Sequence, residues 1–301
     1  MKLSAKIKDM AKNILYPFSY CISKILSKTY PLNISNSEST LKFLLNEKKS
    51  ISRFGDGEFC LIFGKSIPFQ EASDFLSNKL IEVLQSAGDN PSHIVAIPYA
   101  FSDIKELSKE SKKFWAKYLL ENYIKIYQIL TSRKHYYDSQ ITRIYINRAD
   151  KSKSKTYFSL WKSIWNDEKI LVVEGVDSRF GVGNDLFNNV NKIERILCPN
   201  VNAFAFYEEI KSKIIERWNG QLVLLVLGPS ATVLAYELAL KGIRTIDIGN
   251  LDMEYEWYKR NVDKRVTIPG KHTIEIEMSQ REKVSNDDEY SKQVIALIRC
   301  S

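Results

Sequence analysis

The stretch Leu222-Val-Leu-Leu-Val-Leu-Gly228-Pro-Ser-Ala-Thr232 decides the fold class. Six consecutive apolar residues, too few for a helix, predict a strand buried on both faces. Gly228 ends it. Pro229 suits the first position of a helix, so the spacing predicts a helix from there to Lys241. Neighbouring segments repeat the alternation. Ile170–Val173, Arg195–Cys198 and Thr245–Ile248 read as strands, and helices are expected from Asp185 to Val190 and over Ala203–Trp218. Apolar strands separated by helices imply an α/β fold, with a mostly parallel sheet flanked by helices.

The N-terminal half is less regular. Helices are expected over Glu38–Lys48, Ala72–Ser86, Ile104–Leu130 and Lys151–Trp165, and strands over His93–Tyr99 and Ile141–Asn147. Residues 31–37 read as a linker, which separates a segment of residues 1–36 from a domain of residues 37–301. The tail around Arg281–Tyr290 reads as a charged loop and Ser291–Ile298 as a closing helix.

Composition narrows the function. Of 301 residues, 44% are hydrophobic and 27% charged, a globular balance with no run near the roughly 20 apolar residues of a membrane span. Lysines recurring through the first 28 residues argue against a secretory signal. The four cysteines share no CxxC spacing, which disfavours structural zinc or a disulfide framework and fits a reducing cytosol. His93, His135 and His272 lie in no triad motif.

The net charge of +8 suggests an anionic partner, and six lysines against a single aspartate fall within residues 1–31. There Leu3, Ile7, Met10, Ile14, Phe18, Ile22 and Ile25 keep helical spacing, with Pro17 expected to kink or divide the helix. A basic amphipathic helix of this kind suits a membrane surface, a partner helix or the domain itself. Charge gathered at one end argues against nucleic acid as the main ligand.

In an open parallel sheet, ligands bind outside the carboxyl ends of the strands. Three such ends carry unusual loops. Gly228-Pro229-Ser230 with Thr232 offers the exposed amides of a helix start to a phosphate. The loop holding Arg179, Gly181-x-Gly183, Asn184 and Asp185 offers a guanidinium, although Asn184 and Asp185 equally suit a helix cap. Gly249-Asn250-Leu251-Asp252-Met253-Glu254 presents a carboxylate pair, as does Arg53-Phe-Gly-Asp56-Gly-Glu58. In extended backbone, side chains at i and i+2 share a side, so either pair could grip one hard cation whose shell a diphosphate completes. The absence of GxxxxGK[ST] disfavours a P-loop NTPase.

These motifs resemble the bacterial GT-D-fold glycosyltransferases. The resemblance is carried by Arg53–Glu58, Glu174-Gly175, Gly181–Phe187, Arg195–Pro199, Leu227–Thr232 and Asp247–Trp257, in order across about residues 40–295. It implies a Rossmann-like GT-D domain that transfers a hexose, glucose or galactose, from a UDP-sugar to a glycan or glycoprotein acceptor, lipid-linked in some cases, in bacterial surface glycan synthesis. It also implies a divalent metal, Mn²⁺ or Mg²⁺, at a DxE motif. Carried onto this chain, Asp252 and Glu254 are the metal candidates, while Asp56 or Glu58 contacts the donor sugar or takes the acceptor proton, with Arg53 on phosphate or orienting them. The exchanged assignment of the two pairs stays open. Asn250 stands where some relatives have histidine, and Ser230 where many have threonine. Two rival readings also remain: a phosphate-handling hydrolase or nucleotidyltransferase, and a non-catalytic membrane- or nucleic-acid-binding module.

Overall fold

The computed structural model describes residues 2–131, 133–271 and 288–299, with residues 2–15 as backbone alone. The chain opens with helix α1 (Lys2–Thr29), strand β1 (Asn33–Ile34), helix α2 (Ser37–Glu47) and strand β2 (Ser50–Arg53). Helices α3 (Asp56–Ile62) and α4 (Asp74–Gln85) lead to β3 (His93–Ile97). Then follow α5 (Lys109–Ile129), β4 (His135–Asp138), α6 (Ser154–Ile164), β5 (Lys169–Gly175) and β6 (Lys192–Cys198). The third part runs α7 (Tyr207–Arg217), β7 (Leu222–Val226), α8 (Pro229–Leu240), β8 (Thr245–Asp247) and α9 (Leu251–Lys259). After the undescribed stretch come α10 (Asp288–Gln293) and β9 (Val294–Leu297).

The nine strands form one sheet in the order β1-β4-β3-β2-β8-β7-β5-β6-β9. Every named pairing in it is parallel. Residue alternation divides the core between the two faces. Val95, Leu171, Val173, Val223 and Leu225 pack with α4, α5, α7 and α8. Their neighbours Ile94, Ile170, Val172, Leu222 and Leu224 pack with α2, α6 and α9 on the other side. Each buried Val, Leu or Ile contributes about 1.5–3 kcal/mol, so this two-sided burial explains the unbroken apolar strands.

Topology reverses twice. From β2 the chain moves outward through β3, whereas β8, beside β2, leads back toward β9 at the opposite edge. From β5 it moves to β6, while β7, beside β5, leads the other way to β8. The carboxyl ends of β2, β8, β7 and β5 are therefore neighbours at a point where connections diverge, the position at which such sheets form a ligand crevice.

Several local expectations change. Ser50–Arg53, for which no element was expected, is an interior strand. Its polar residues hide it in sequence, yet Ser50 Oγ accepts the Thr245 amide at 2.9 Å. Ser52 Oγ donates to the Thr232 carbonyl at 2.6 Å and lies 2.8 Å from His93 Nε2. Burial pushes His93 down to about 3, so its ring is neutral. The strand expected over Ile141–Asn147 lies earlier, at β4, followed by a 3-10 turn over Ser139–Thr142. Residues 185–190 form turns rather than a helix, because Asn184 Oδ1 accepts the Leu186 amide and Leu186 and Phe187 fill the core. The expected linker holds β1, hydrogen-bonded to β4. The expected closing helix is instead α10 followed by β9, and residues 281–287 of the expected charged loop lie outside the described residues.

α1 runs through Pro17 as one helix. Tyr16, Tyr20 and Leu26 pack on the core beside α5, and the Tyr123 hydroxyl donates to the Tyr30 carbonyl at 2.5 Å. Phe18 and Ile25, seven residues apart and so on a shared face, stay 63% and 62% exposed. The apolar stripe read in the sequence thus turns outward over its described part, and its residues before Tyr16 have no described side chains.

Candidate active site

Arg53 at the end of β2 is a clamp between strand ends. Its Nε donates to the Asp247 carbonyl at 2.6 Å and Nη2 to Asp247 Oδ1 at 2.8 Å. Its Nη1 donates to the Ser139 carbonyl at 3.1 Å and to Thr142 Oγ1 at 2.6 Å. Thr232 Oγ1 lies 2.9 Å from the Arg53 carbonyl and 3.3 Å from Asp247 Oδ2. Arg53, expected on phosphate or orienting the carboxylates, and Thr232, expected at phosphate, tie β2, β8 and α8 together. Gly249 has φ 51°, and a Cβ there would come within 2.0 Å of Arg53 Nη2. Only glycine lets the chain leave β8 past that guanidinium.

Beyond the clamp, Asp56 and Glu58 occupy the first turn of α3, not an extended strand. Side chains at a helix start lean back toward the N-terminus, so both carboxylates lie at the crevice edge. Asp56 is exposed. Glu58 Oε2 accepts the Gly55 amide at 2.7 Å, closing a capping box. Packing around the Glu58 carboxyl, with Asp247 and Asp56 nearby, pushes it up to about 7 against the opposing Gly55 hydrogen bond.

Two strands away, Gly228 (φ 53°) is exposed and Pro229 opens α8. A Cβ at Gly228 would fall 2.8 Å from the Phe69 ring. The Ser230 side chain is fully buried, and its Oγ has no hydrogen-bond partner among the described residues. A helix start with an exposed glycine and an unused hydroxyl suits an anionic group.

The second acidic pair behaves differently. Asp252 and Glu254 lie within α9, where i and i+2 are about 200° apart, so the extended-backbone expectation fails. Asp252 faces the loop after β5. Asn184 Nδ2 donates to Asp252 Oδ1 and to Glu256 Oε1, both at 2.7 Å. Lys271 Nζ sits 2.6 Å from Asp252 Oδ2 and 3.0 Å from Glu256 Oε1. Burial pushes Glu256 up, but Lys271, Asn184 and Arg260 outweigh it and hold the carboxyl below its usual range. Glu254 leaves in another direction and accepts the amides of Tyr145 at 2.8 Å and Ile146 at 3.0 Å. Two carboxylates so directed do not fit a single ion. Asp56 and Glu58 are likewise i and i+2 in a helix; they differ in standing at its first turn, with Asp56 exposed and Glu58 accepting the Gly55 amide.

The remaining expected residues meet other side chains of the protein. Asp185 meets Lys162 and Lys259, each at 3.1 Å, and the Tyr255 hydroxyl at 3.0 Å. Burial raises its carboxyl, but these partners prevail and hold it well below the usual range. Arg179 lies over the Tyr290 ring at 4.6 Å. Trp257 and Tyr255, in the same motif, are core side chains at 0% and 4% exposure.

Sequence reading missed Asp247, Glu256, Lys271 and the buried pair Glu174–Arg195, joined at 2.5 Å. One signal was present: Glu174, Arg195 and Asp247 are charges placed inside apolar strands. The Asp252–Glu256 spacing becomes informative only once α9 is known to be a helix.

Residues 51–276 match the family model described as glycosyltransferase GT-D fold. The probable glycosyl transferase Gly of Streptococcus gordonii is 36% identical over 265 residues, 88% of this chain and 39% of that protein. Glycosyltransferase GlyD of Streptococcus pneumoniae serotype 4 is 35% identical over 267 residues, 89% of this chain and 33% of that protein. The chain thus spans between a third and two fifths of the length of these relatives. Among solved structures, "A New Glycosyltransferase (DUF1792) from Streptococcus sanguinis" superposes with TM-score 0.85 at 35% identity, covering 89% of this chain and 100% of that one. "The highly conserved domain of unknown function 1792 has a distinct glycosyltransferase fold" does so with TM-score 0.86 at 35% identity, covering 93% and 100%.

Proposed function

Because the chain belongs to the GT-D-fold glycosyltransferase family, we propose that it moves a hexose, glucose or galactose, from a UDP-sugar to a glycan or glycoprotein acceptor in bacterial surface glycan synthesis. One observation carries this reading. The start of α8 at Gly228 and the acidic turn Asp56–Glu58 follow β7 and β2, on either side of β8 at the same end of the sheet, the first suited to phosphate and the second to a cation. The start of α8 at the exposed Gly228 receives the diphosphate and stabilises it as it leaves. Asp56 and Glu58 would hold Mn²⁺ or Mg²⁺; when bound, the ion neutralises charge on the departing UDP. The Arg53–Asp247 clamp fixes the spacing of β2 and β8, on which both parts depend. Asp252 and Glu256, through Asn184 and Lys271, orient the loop after β5. This exchanges the two acidic pairs relative to the first assignment from the resemblance.

The direct test measures UDP released from a panel of UDP-hexoses with Mn²⁺, with and without cell-envelope acceptor extract. Acceptor-stimulated release from one sugar is expected. Release at the same rate without acceptor would favour a hydrolase, and no release from any sugar nucleotide would reject the transferase reading.

Residues 1–31 attach the enzyme to the inner face of an anionic membrane in this proposal, with the lysines on phospholipid headgroups and Phe18 and Ile25 in the interface. No helix among the described residues is long and apolar enough to cross a membrane. Replacing Phe18 and Ile25 together by Ser should reduce co-sedimentation with phosphatidylglycerol vesicles at least about tenfold, given about 1.5–3 kcal/mol per buried apolar side chain. Unchanged sedimentation would reject the attachment.

A further inference from the structure

A cleft of about 490 Å³ opens between the turn preceding α4 and the start of α7, on the sheet edge that carries the donor crevice. Phe204 and Tyr207 stack on its wall, with ring centroids 5.0 Å apart. Phe75 lies 5.6 Å from Phe204 and is 53% exposed, so it presents a ring to solvent. Glu71, Glu208 and Glu209 rim the cleft, and among the described residues no lysine or arginine is in its lining, although Lys211 lies over the Tyr207 ring at 4.6 Å. Glu208 also pairs with Lys211 at 2.7 Å.

Two contacts join the cleft to the donor crevice. The Phe69 ring lies beside Gly228, and the Phe69 carbonyl accepts the amide of cleft residue Asn202 at 2.9 Å. The Asn202 side chain in turn accepts the Glu71 amide at 2.7 Å. One turn of chain therefore touches the phosphate-suited helix start on one side and builds the cleft on the other.

We infer that this cleft binds the acceptor saccharide, and that the saccharide is uncharged. The inference rests on the transferase reading of the donor crevice. Aromatic faces pack against the apolar C–H faces of pyranose rings, and carboxylates accept their hydroxyl protons, the pairing of apolar wall and few polar groups that defines small-molecule sites. The acidic rim repels anions. UDP is thus kept to the Gly228 side, and a uronic acid or phosphorylated sugar is a poor acceptor. The exposed position of Phe75 makes it a specificity residue whose removal leaves the core intact.

The test uses the full-length protein and saturation-transfer NMR with methyl β-D-glucopyranoside, methyl β-D-galactopyranoside and the methyl glycoside of glucuronic acid. At least one neutral glycoside should receive saturation, the glucuronide should receive none, and Phe75→Ala should reduce the neutral signal at least about fivefold. UDP binding by calorimetry should match wild type in that variant, which separates loss of this cleft from failure of the donor site. Glu71→Gln with Glu209→Gln should admit the glucuronide. Absence of saturation for both neutral glycosides, equal signals in wild type and Phe75→Ala, or equal binding of the glucuronide by wild type would each overturn the inference.

Discussion

Glu58→Gln is expected to yield a protein that is more stable in alkaline buffer and turns over sugar nucleotide at least about 100-fold more slowly, the scale of losing a group that acts at the reacting centre. Glutamine keeps the capping box, because its side-chain carbonyl still accepts the Gly55 amide. What it removes is the ionisable group. The Glu58 carboxyl sits at about 7 in the folded chain against 4.5 as its ordinary value. Between these values the folded chain keeps a proton that the unfolded chain has released. Stability from this group therefore falls as pH rises from about 4.5 to about 7, and above that window the ionised carboxylate is a cost of about 1–3 kcal/mol. In metal-free buffer, thermal melts of wild type and variant should coincide near pH 4 and separate by several degrees near pH 8, the variant higher. Coincident melts at both pH values would show that the carboxylate carries no such cost. A turnover equal to wild type would remove Glu58 from the site.

Asp247→Ala should have the largest effect on folding. Asp247 is 3% exposed and receives both the Arg53 guanidinium and the Arg53 amide. Truncation strands a largely buried cation between β2, β8 and the turn after β4. Removing one partner of such a pair costs about 3–5 kcal/mol, which in a chain of this size lowers the melting temperature by roughly 10 °C. The double replacement Arg53→Met with Asp247→Leu should recover most of that loss, because the charge and its uncompensated burial disappear together. It should not recover turnover, since the two strand ends lose the bonds that set the crevice. A single variant that melts within about 2 °C of wild type would show that the clamp is not the element holding β2 to β8.

The sequence made the sheet legible where burial writes itself as an unbroken apolar run, as in Leu222–Leu227 and Ile170–Val173. It concealed β2, because Ser50 and Ser52 are made compatible with an interior strand by partners as distant as Thr232 and Thr245. It also concealed β9, whose pairing with β6 spans about a hundred residues of chain. The site was legible as motifs and loops, including Gly228–Ser230 and Asp56–Glu58 at strand ends on either side of β8. Its wiring was not. Reading Asp252–Glu254 as extended made them a pair, whereas the helix start at Leu251 turns Glu254 away and brings Glu256 beside Asp252. Lys271, in no motif, completes that cluster from a loop. Arg53 looked like a phosphate ligand because guanidinium suits phosphate, and nothing local announced that Asp247 would occupy it first.

The two acidic pairs are separated most directly by binding of Mn²⁺ in the presence of UDP, followed by the loss of free-ion signal in electron paramagnetic resonance. The variants are Asp56→Asn, Glu58→Gln and Asp252→Asn, each checked for folding by circular dichroism. The account predicts that Mn²⁺ binding is lost in the first two and kept in the third. Binding kept in Asp56→Asn and Glu58→Gln but lost in a folded Asp252→Asn would contradict it.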